Sequence, residues 1–182
     1  MQLYQPILDQ TTKFFAEVNL EPRRVFHGRG HMYPGLEHIN LDWYPPVLLV
    51  SGYSEIEQVE ALAEEILKGD VQGQIQTVIH QSRSSQGATA DCLFGQPSSP
   101  VIVSEHGVKY EVQPGVNQNA GFFLDMRPLR RWLMDYSKGK NVLNLFAYTC
   151  SLSVASLAGH ARQVVSVDMS KPSINWGKRN HE

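Results

Sequence analysis

Cysteine is scarce: only Cys92 and Cys150 occur in 182 residues. They lie far apart with no C-x-x-C pairing and no secretory context that would favour a disulfide framework, so both thiols are expected to be reduced. No run of about 18 apolar residues is present, which leaves no candidate for a membrane-spanning helix. The opening MQLYQPILDQTTKF carries no basic segment followed by an apolar stretch and a cleavage site, so a cytoplasmic location is expected. Glycine is not rare, at 14 residues, but G-x-G-x-x-G is absent. A turn of the kind that cradles a diphosphate is therefore missing, which disfavours an NAD-dependent oxidoreductase. Charge of one sign is not in large excess either. The formal net charge is -2, but residues 1–100 hold 12 acids against 6 Lys/Arg and residues 101–182 hold 6 against 10. The second half thus permits contact with a polyanion, although solvated helix faces would give the same balance.

What is present has the composition of a globular protein with a core: 42% of residues are hydrophobic and 19% charged. The apolar spacing of Ile7, Leu8, Thr11, Phe14, Phe15 and Val18 predicts a helix over 6–19. Residues 23–46 are rich in Gly, Pro and His without a sustained period, which suggests short strands and turns at a surface. VLLVSGY (47–53) predicts a strand. In the helix expected next, Ser54 and Glu57 form a capping-box pattern, Ile56, Val59, Leu62, Ala63 and Ile66 line one face, and Gly69 suits the stop. A strand is expected over 75–82, and the QPSSP loop (96–100) leads into VIVSE and VKYEV, joined as a hairpin through His106-Gly107. GFFLDMRPLRRWLMDYSKGK then predicts a short strand and a helix capped by Asp125, with Pro128 in its first turn and Leu129, Trp132, Leu133 and Tyr136 inward. Phe122 and Phe123 are also assigned to the core.

The stretch VLNLFAYTCSLSVASLAGHARQVVSVDMS (142–170) alternates apolar run, turn, helical segment, apolar run and acid. It predicts a strand at 142–147, a helix at 151–158, a strand at 164–168, and a further helix capped by Ser170 with Pro172 in its first turn. Such alternation implies a parallel sheet with right-handed crossovers. A ligand in such a sheet lies at the carboxyl ends of the strands, where Phe146-Ala147-Tyr148-Thr149-Cys150-Ser151 makes the turn. Asp168, at the end of the second strand, can accept hydrogen bonds from both ribose hydroxyls. A nucleoside without phosphates suits this turn, and S-adenosylmethionine (SAM) is one.

The segments NAGFFLDMR, VLNLFAYTCSLSVASLAGHARQVVSVDMS and NWGKRN resemble the class I SAM-dependent methyltransferases that modify large-subunit ribosomal RNA, both the cytosine-C5 enzymes and the guanine-N7 half of a bifunctional enzyme. The resemblance is specific over residues 117–182. It implies a fold class of α/β type: a small N-terminal accessory domain with a mixed sheet over 1–113, then the first βαβ unit of a Rossmann-like cofactor domain over 114–182. It further implies that Asn144, Phe146, Ala147, Tyr148 and Thr149 border the methionine part of SAM, that Asp168 holds ribose, and that Met169 lies beside adenine. Asp125 and Arg127, in Leu124-Asp125-Met126-Arg127, resemble an element packed across the cofactor pocket. Two positions depart from the family pattern: Asn119-Ala120-Gly121 replaces Lys-Thr-Gly, and Cys150 replaces a glycine. A β-carbon at a position suited to φ > 0 costs about 1 kcal/mol or more.

The family's target-base motif, Asn/Asp-Pro-Pro, does not occur in these residues, and the one Pro-Pro, Pro45-Pro46, follows Asp42-Trp43-Tyr44 far upstream. Cytosine-C5 chemistry needs a cysteine nucleophile, because C5 becomes reactive only after thiolate addition at C6. Cys150, inside the cofactor turn, is a poor candidate. The chain is accordingly expected to be the N-terminal portion of a longer RNA methyltransferase, inactive by itself, with an exposed sheet edge through which copies could pair into a homo-oligomer. A competing reading is a non-catalytic RNA- or partner-binding module with a vestigial cofactor fold. Arg127, Arg130, Arg131, Lys138 and Lys140 are candidates for RNA phosphates, as are Arg23, Arg24 and Arg29. His27, His31 and His38 are read as loop histidines, and no metal site is expected.

Overall fold

Helix α1 (Gln5–Phe15) begins with Pro6 in its first turn and buries Ile7, Thr11 and Phe15 at helical spacing. It stops short of the expected residue 19. Val18 is exposed, and the Asn19 side chain donates back to the Phe14 and Glu17 carbonyls, closing the chain into a turn. The computed structural model describes residues 1–96 and 99–182, so Pro97 and Ser98 of the QPSSP loop lie outside the described residues. Contacts divide the chain into two units, residues 1–101 with 113–120 and residues 102–112 with 121–182.

In the first unit, β1 (Arg23–His27), β2 (Ile39–Tyr44), β3 (Val47–Gly52), β4 (Thr77–Ser84) and β5 (Gly87–Phe94) form one five-stranded sheet in that order. β3 and β4 are parallel, with α2 (Val59–Gly69) as the crossover, and the other pairs are antiparallel. Ile7 and Phe15 of α1, Leu62 and Ile66 of α2, and Ile39, Leu41, Trp43, Leu48 and Val50 of the sheet share one core.

The segment expected as surface strands and turns instead contributes β2, every residue of which is buried. Its polar residues broke the apolar pattern because they are cross-strand partners. Arg24 donates to both oxygens of Asp42 at 2.7 and 3.1 Å, and His27 Nδ1 lies 3.1 Å from Asn40 Oδ1. Strand β5, unmarked by apolar alternation, is largely exposed and is held by main-chain pairing with β4. The capping box does not form. Helix α2 starts at Val59 after a left-handed Gln58, and the Glu57 carbonyl accepts a bond from the Tyr4 hydroxyl at 2.7 Å.

The second unit opens with the expected hairpin, β6 (Val101–Glu105) and β7 (Val108–Val112). His106 and Gly107 both have positive φ, 53° and 80°, as a two-residue hairpin turn requires. The hairpin packs with the second unit, although the sequence grouped it with the first. Residues 121–123 form no strand. A 3-10 turn at Leu124–Met126 leads into α3 (Arg127–Tyr136), and Asp125 makes no capping bond. Then follow β8 (Asn141–Leu145), α4 (Ser151–Ala158), β9 (Gln163–Val167) and α5 (Lys171–Arg179). β8 and β9 pair in parallel, from Asn141 opposite Gln163 to Leu145 opposite Val167. Ser170 caps α5 by accepting from Ser173 N, as its sequence predicts.

Helix α3 is turned from its expected phase. Leu129, Trp132 and Tyr136, assigned to the core, are 40%, 53% and 58% exposed, and Phe123 is 44% exposed. Arg130 is the fully buried residue of this helix. Its guanidinium donates to both oxygens of buried Glu105 at 2.7 and 2.9 Å and to Phe123 O at 2.8 Å, and it lies 3.9 Å over the Phe122 ring. A buried bidentate charged pair with all three guanidinium nitrogens bonded is worth more to the helix phase than apolar residues that reach solvent at modest cost.

Candidate functional site

The turn between β8 and α4 is a run of alternating left-handed residues: Phe146, Tyr148 and Cys150 have φ of 56°, 50° and 63°. None is glycine, so local structure must compensate for each. Ala147 N donates to Val167 O at 3.0 Å, and Cys150 N donates back to Ala147 O at 2.8 Å. The Thr149 hydroxyl donates to Gly121 O, and Asn180 Nδ2 donates to Thr149 O at 2.8 Å. Asn180 Oδ1 also accepts from Glu111 N at 2.7 Å, which ties the turn to β7. Cys150 fits because of Gly177: a β-carbon there would lie 2.4 Å from Cys150 Sγ.

Asp168 stands at the carboxyl end of β9 and clamps the turn from the other side. Its Oδ2 accepts from Tyr148 N and its Oδ1 from Ser170 N, both at 2.8 Å. These amides, Ser170 first and then Tyr148, hold the carboxyl below the usual carboxylate range, against a smaller opposing effect of burial. Each oxygen keeps lone-pair capacity for a further donor. Phe146 and Met169, 88% and 99% exposed, present apolar surface at the same ends of the two strands.

The residues expected at a site do not all converge. Phe146, Ala147, Tyr148, Thr149 and Asp168 are joined in one bonded turn, and Met169 adjoins it. Phe123, next to Leu124-Asp125, brings its ring to 5.3 Å from that of Tyr148. Asp125 itself is exposed, with no side-chain bond among the described residues. Asn144 points to α4: its Nδ2 donates to Ser153 Oγ at 2.8 Å, which lies 2.7 Å from Ser166 Oγ. Arg127 is engaged with Glu105, its Nη1 3.5 Å from Oε1. Cys150 is buried, and burial, with the Asp168 charge and against a Ser166 hydrogen bond, pushes its thiol up, so it is no ready thiolate.

Sequence reasoning missed Glu105 and the roles of Gly177 and Asn180, and it read Arg130, which is buried against Glu105, as a candidate for RNA phosphates. Glu105 could have been found, since period-2 alternation aligns it with the buried Val101 and Val103. Gly177 and Asn180 lie in the NWGKRN segment that carries the resemblance, but nothing local shows that they pack against the turn, and nothing local marks Arg130 as buried.

The donor set at this turn is an acid with spare lone pairs, a sharp turn without a phosphate cradle, and two exposed apolar side chains. It fits a nucleoside bearing an amino-acid tail better than a dinucleotide. A family model described as S-adenosylmethionine-dependent methyltransferase matches residues 23–182. The chain belongs to this family. Over 154 residues it is 30% identical to ribosomal RNA large subunit methyltransferase I of Vibrio parahaemolyticus, covering 81% of this chain and 39% of that protein. It is 48% identical over 80 residues to ribosomal RNA large subunit methyltransferase K/L of Shewanella frigidimarina, covering 44% of this chain and 11% of that protein. A structure assigned as a SAM-dependent methyltransferase of Streptococcus mutans superposes with a TM-score of 0.76 at 28% identity, covering 98% of this chain and 46% of that one. A further structure with the same scores, assigned as a methyltransferase, is a complex with SAH. The SAM-methyltransferase chain thus spans less than half the length of these relatives. Among the described residues no helix is long and apolar enough to cross a membrane.

Proposed function

We propose that this protein is a SAM-dependent methyltransferase of RNA, most simply of a large-subunit ribosomal RNA base, and that the β8–α4 turn with Asp168 holds the cofactor. The observation that carries the reading is the Tyr148–Asp168–Ser170 clamp at the carboxyl ends of two parallel strands. Bound SAM supplies an electrophilic methyl on a sulfonium. In this reading Asp168 accepts the ribose hydroxyls, Phe146 and Met169 cover the nucleoside, and Ala147, Tyr148 and Thr149 border the methionine part. Asn144 fixes α4 behind the turn. Arg127, committed to Glu105, positions the element bearing Asp125 rather than touching the ligand. The turn acts by orienting the methyl for in-line attack by a base nitrogen or carbon, so positioning is its catalytic contribution.

The names of the ribosomal RNA relatives support an RNA base as the acceptor. A cytosine-C5 or guanine-N7 product belongs to the same proposal, as does the expectation that residues 1–182 bind cofactor without transferring its methyl. That expectation rests on the missing target-base motif, and methyl transfer to RNA by the purified 182-residue chain would refute it. The central test is calorimetric titration with S-adenosylhomocysteine. Saturable binding by the wild-type chain, lost in Asp168→Ala, is expected. Equal binding by both proteins would remove Asp168 from the site.

A further inference from the structure

Helix α3 ends in a feature that the cofactor site does not use. Trp132 and Tyr136, one helical turn apart, stack with ring centroids 5.3 Å apart and planes 26° from parallel. Both are more than half exposed, and Leu129 extends the same exposed stripe. The chain then runs into a loop knit to the one before β9: Gly139 N donates to His160 O at 2.9 Å and Arg162 N to Lys140 O at 2.8 Å. These bonds bring Lys138, Lys140, His160 and Arg162 to one corner, at the amino ends of β8 and β9 and so opposite the Asp168 turn. All but Arg131 of the nearby exposed cations lack a carboxylate partner among the described residues, and Arg131 pairs with Asp135 at 3.1 Å.

Of the second unit's acids, Glu105, Glu111, Asp135 and Asp168 are engaged with other groups. Glu105 is buried against Arg130, Glu111 binds Arg179 through both oxygens, and Asp168 is held by two amides. The outcome is an exposed aromatic pair leading directly into an unneutralised cationic corner. Exposed stacked rings beside unpaired cations suit a single-stranded polyanion whose units carry flat faces: the rings take an unstacked base and the corner takes the adjoining phosphates. A protein partner with an acidic surface would use the cations but has no need of the flat aromatic pair.

We propose that Trp132 and Tyr136, with Lys138, Lys140 and Arg162, form a docking surface for single-stranded RNA on the side of the cofactor unit away from the Asp168 turn. This surface rests on the reading of the protein as an RNA methyltransferase and names where its substrate strand is held. Contacts so far from the reacting centre would orient the RNA without touching the methyl.

The test is fluorescence anisotropy of a labelled single-stranded RNA of about 12 nucleotides titrated with the full 182-residue chain, repeated over a series of salt concentrations. Trp132→Ala/Tyr136→Ala is expected to weaken binding at least about five-fold. Lys138→Gln/Lys140→Gln/Arg162→Gln is expected to lower the slope of log K against log salt by about 2. RNA should also quench tryptophan emission in the wild type but not in Trp132→Ala, because Trp43 and Trp176 are buried. S-adenosylhomocysteine binding should be equal in all of these proteins. RNA binding that is unchanged in both variants would overturn the surface and leave the RNA reading standing. A folded wild type that binds S-adenosylhomocysteine but no RNA would overturn both. Self-association of the wild type that the aromatic variant abolishes, with RNA affinity unaffected, would make the stripe an interface between copies and also overturn the proposal.

Discussion

Cys150 shows how one residue can be tolerated where its local conformation argues against it. At φ 63° its β-carbon costs about 1 kcal/mol relative to glycine, yet it is buried against the bare α-carbon of Gly177. The two positions are therefore coupled. Gly177→Ala is expected to destabilise the protein by about 1–3 kcal/mol through overpacking, and in a Cys150→Gly background that cost should fall by at least half. Urea denaturation of the four proteins of this cycle measures it; equal costs in both backgrounds would show that the thiol yields freely.

Asp168 makes a second residue-level prediction, in pH. A carboxyl whose folded pKa is lowered contributes stability that is complete above its unfolded value and is lost as pH falls through the folded one. The urea-midpoint gap between wild type and Asp168→Asn should hold steady from neutral pH down to about pH 4 and close below it. A gap that widens in acid would reverse the sign and refute the two-amide clamp.

Among the elements, α3 and α2 depart most from their sequence patterns, for different reasons. The phase of α3 is set by the buried Arg130–Glu105 pair, whose geometry needs residues 25 apart in sequence. Removing one partner leaves the other charge buried, so Arg130→Ala is expected to cost about 3–5 kcal/mol. The Arg130→Met/Glu105→Leu double variant should recover part of that loss in thermal or urea unfolding, the remainder reflecting Arg127, which loses its Glu105 carboxylate. In α2, Ser54 lies five residues before the first helical residue and caps nothing. Ser54→Ala should change stability by less than about 0.5 kcal/mol, whereas a true N-cap would lose about 1 kcal/mol.

At the scale of the whole molecule, the two units divide the work. The core shared by α1, α2 and the five-stranded sheet belongs to the first, and every residue proposed to meet the cofactor belongs to the second. S-adenosylhomocysteine should therefore slow hydrogen exchange at the amides of residues 146–150 and 168–170 and leave β2 and β3 unchanged. With ligand at about 100 times its Kd, thermal unfolding of the binding unit should gain about 2.7 kcal/mol, and Asp168→Ala should gain none.

How much of this was legible in the sequence depended on whether the cause lay nearby in the chain. The α4 bounds, the parallel strands around them, the Ser170 cap and the His106-Gly107 turn each follow from a few neighbouring residues, and the consecutive motifs from Asn144 to Asp168 carried the family. The buried strand β2 was hidden because Asn40 and Asp42 look like surface residues until His27 and Arg24 pair with them. The role of Arg130 was hidden because a charged residue inside a helix reads as solvated until a distant carboxylate reaches it. By itself the sequence determined the Ser170 cap, the His106-Gly107 turn and the strand-helix-strand order of the segment that carries the family, since these depend on residues a few positions apart. Only the tertiary structure decided which polar groups went inside, which aromatic residues stayed out, and how Cys150 could stand in a left-handed turn, because each of those depends on a partner far away in the chain.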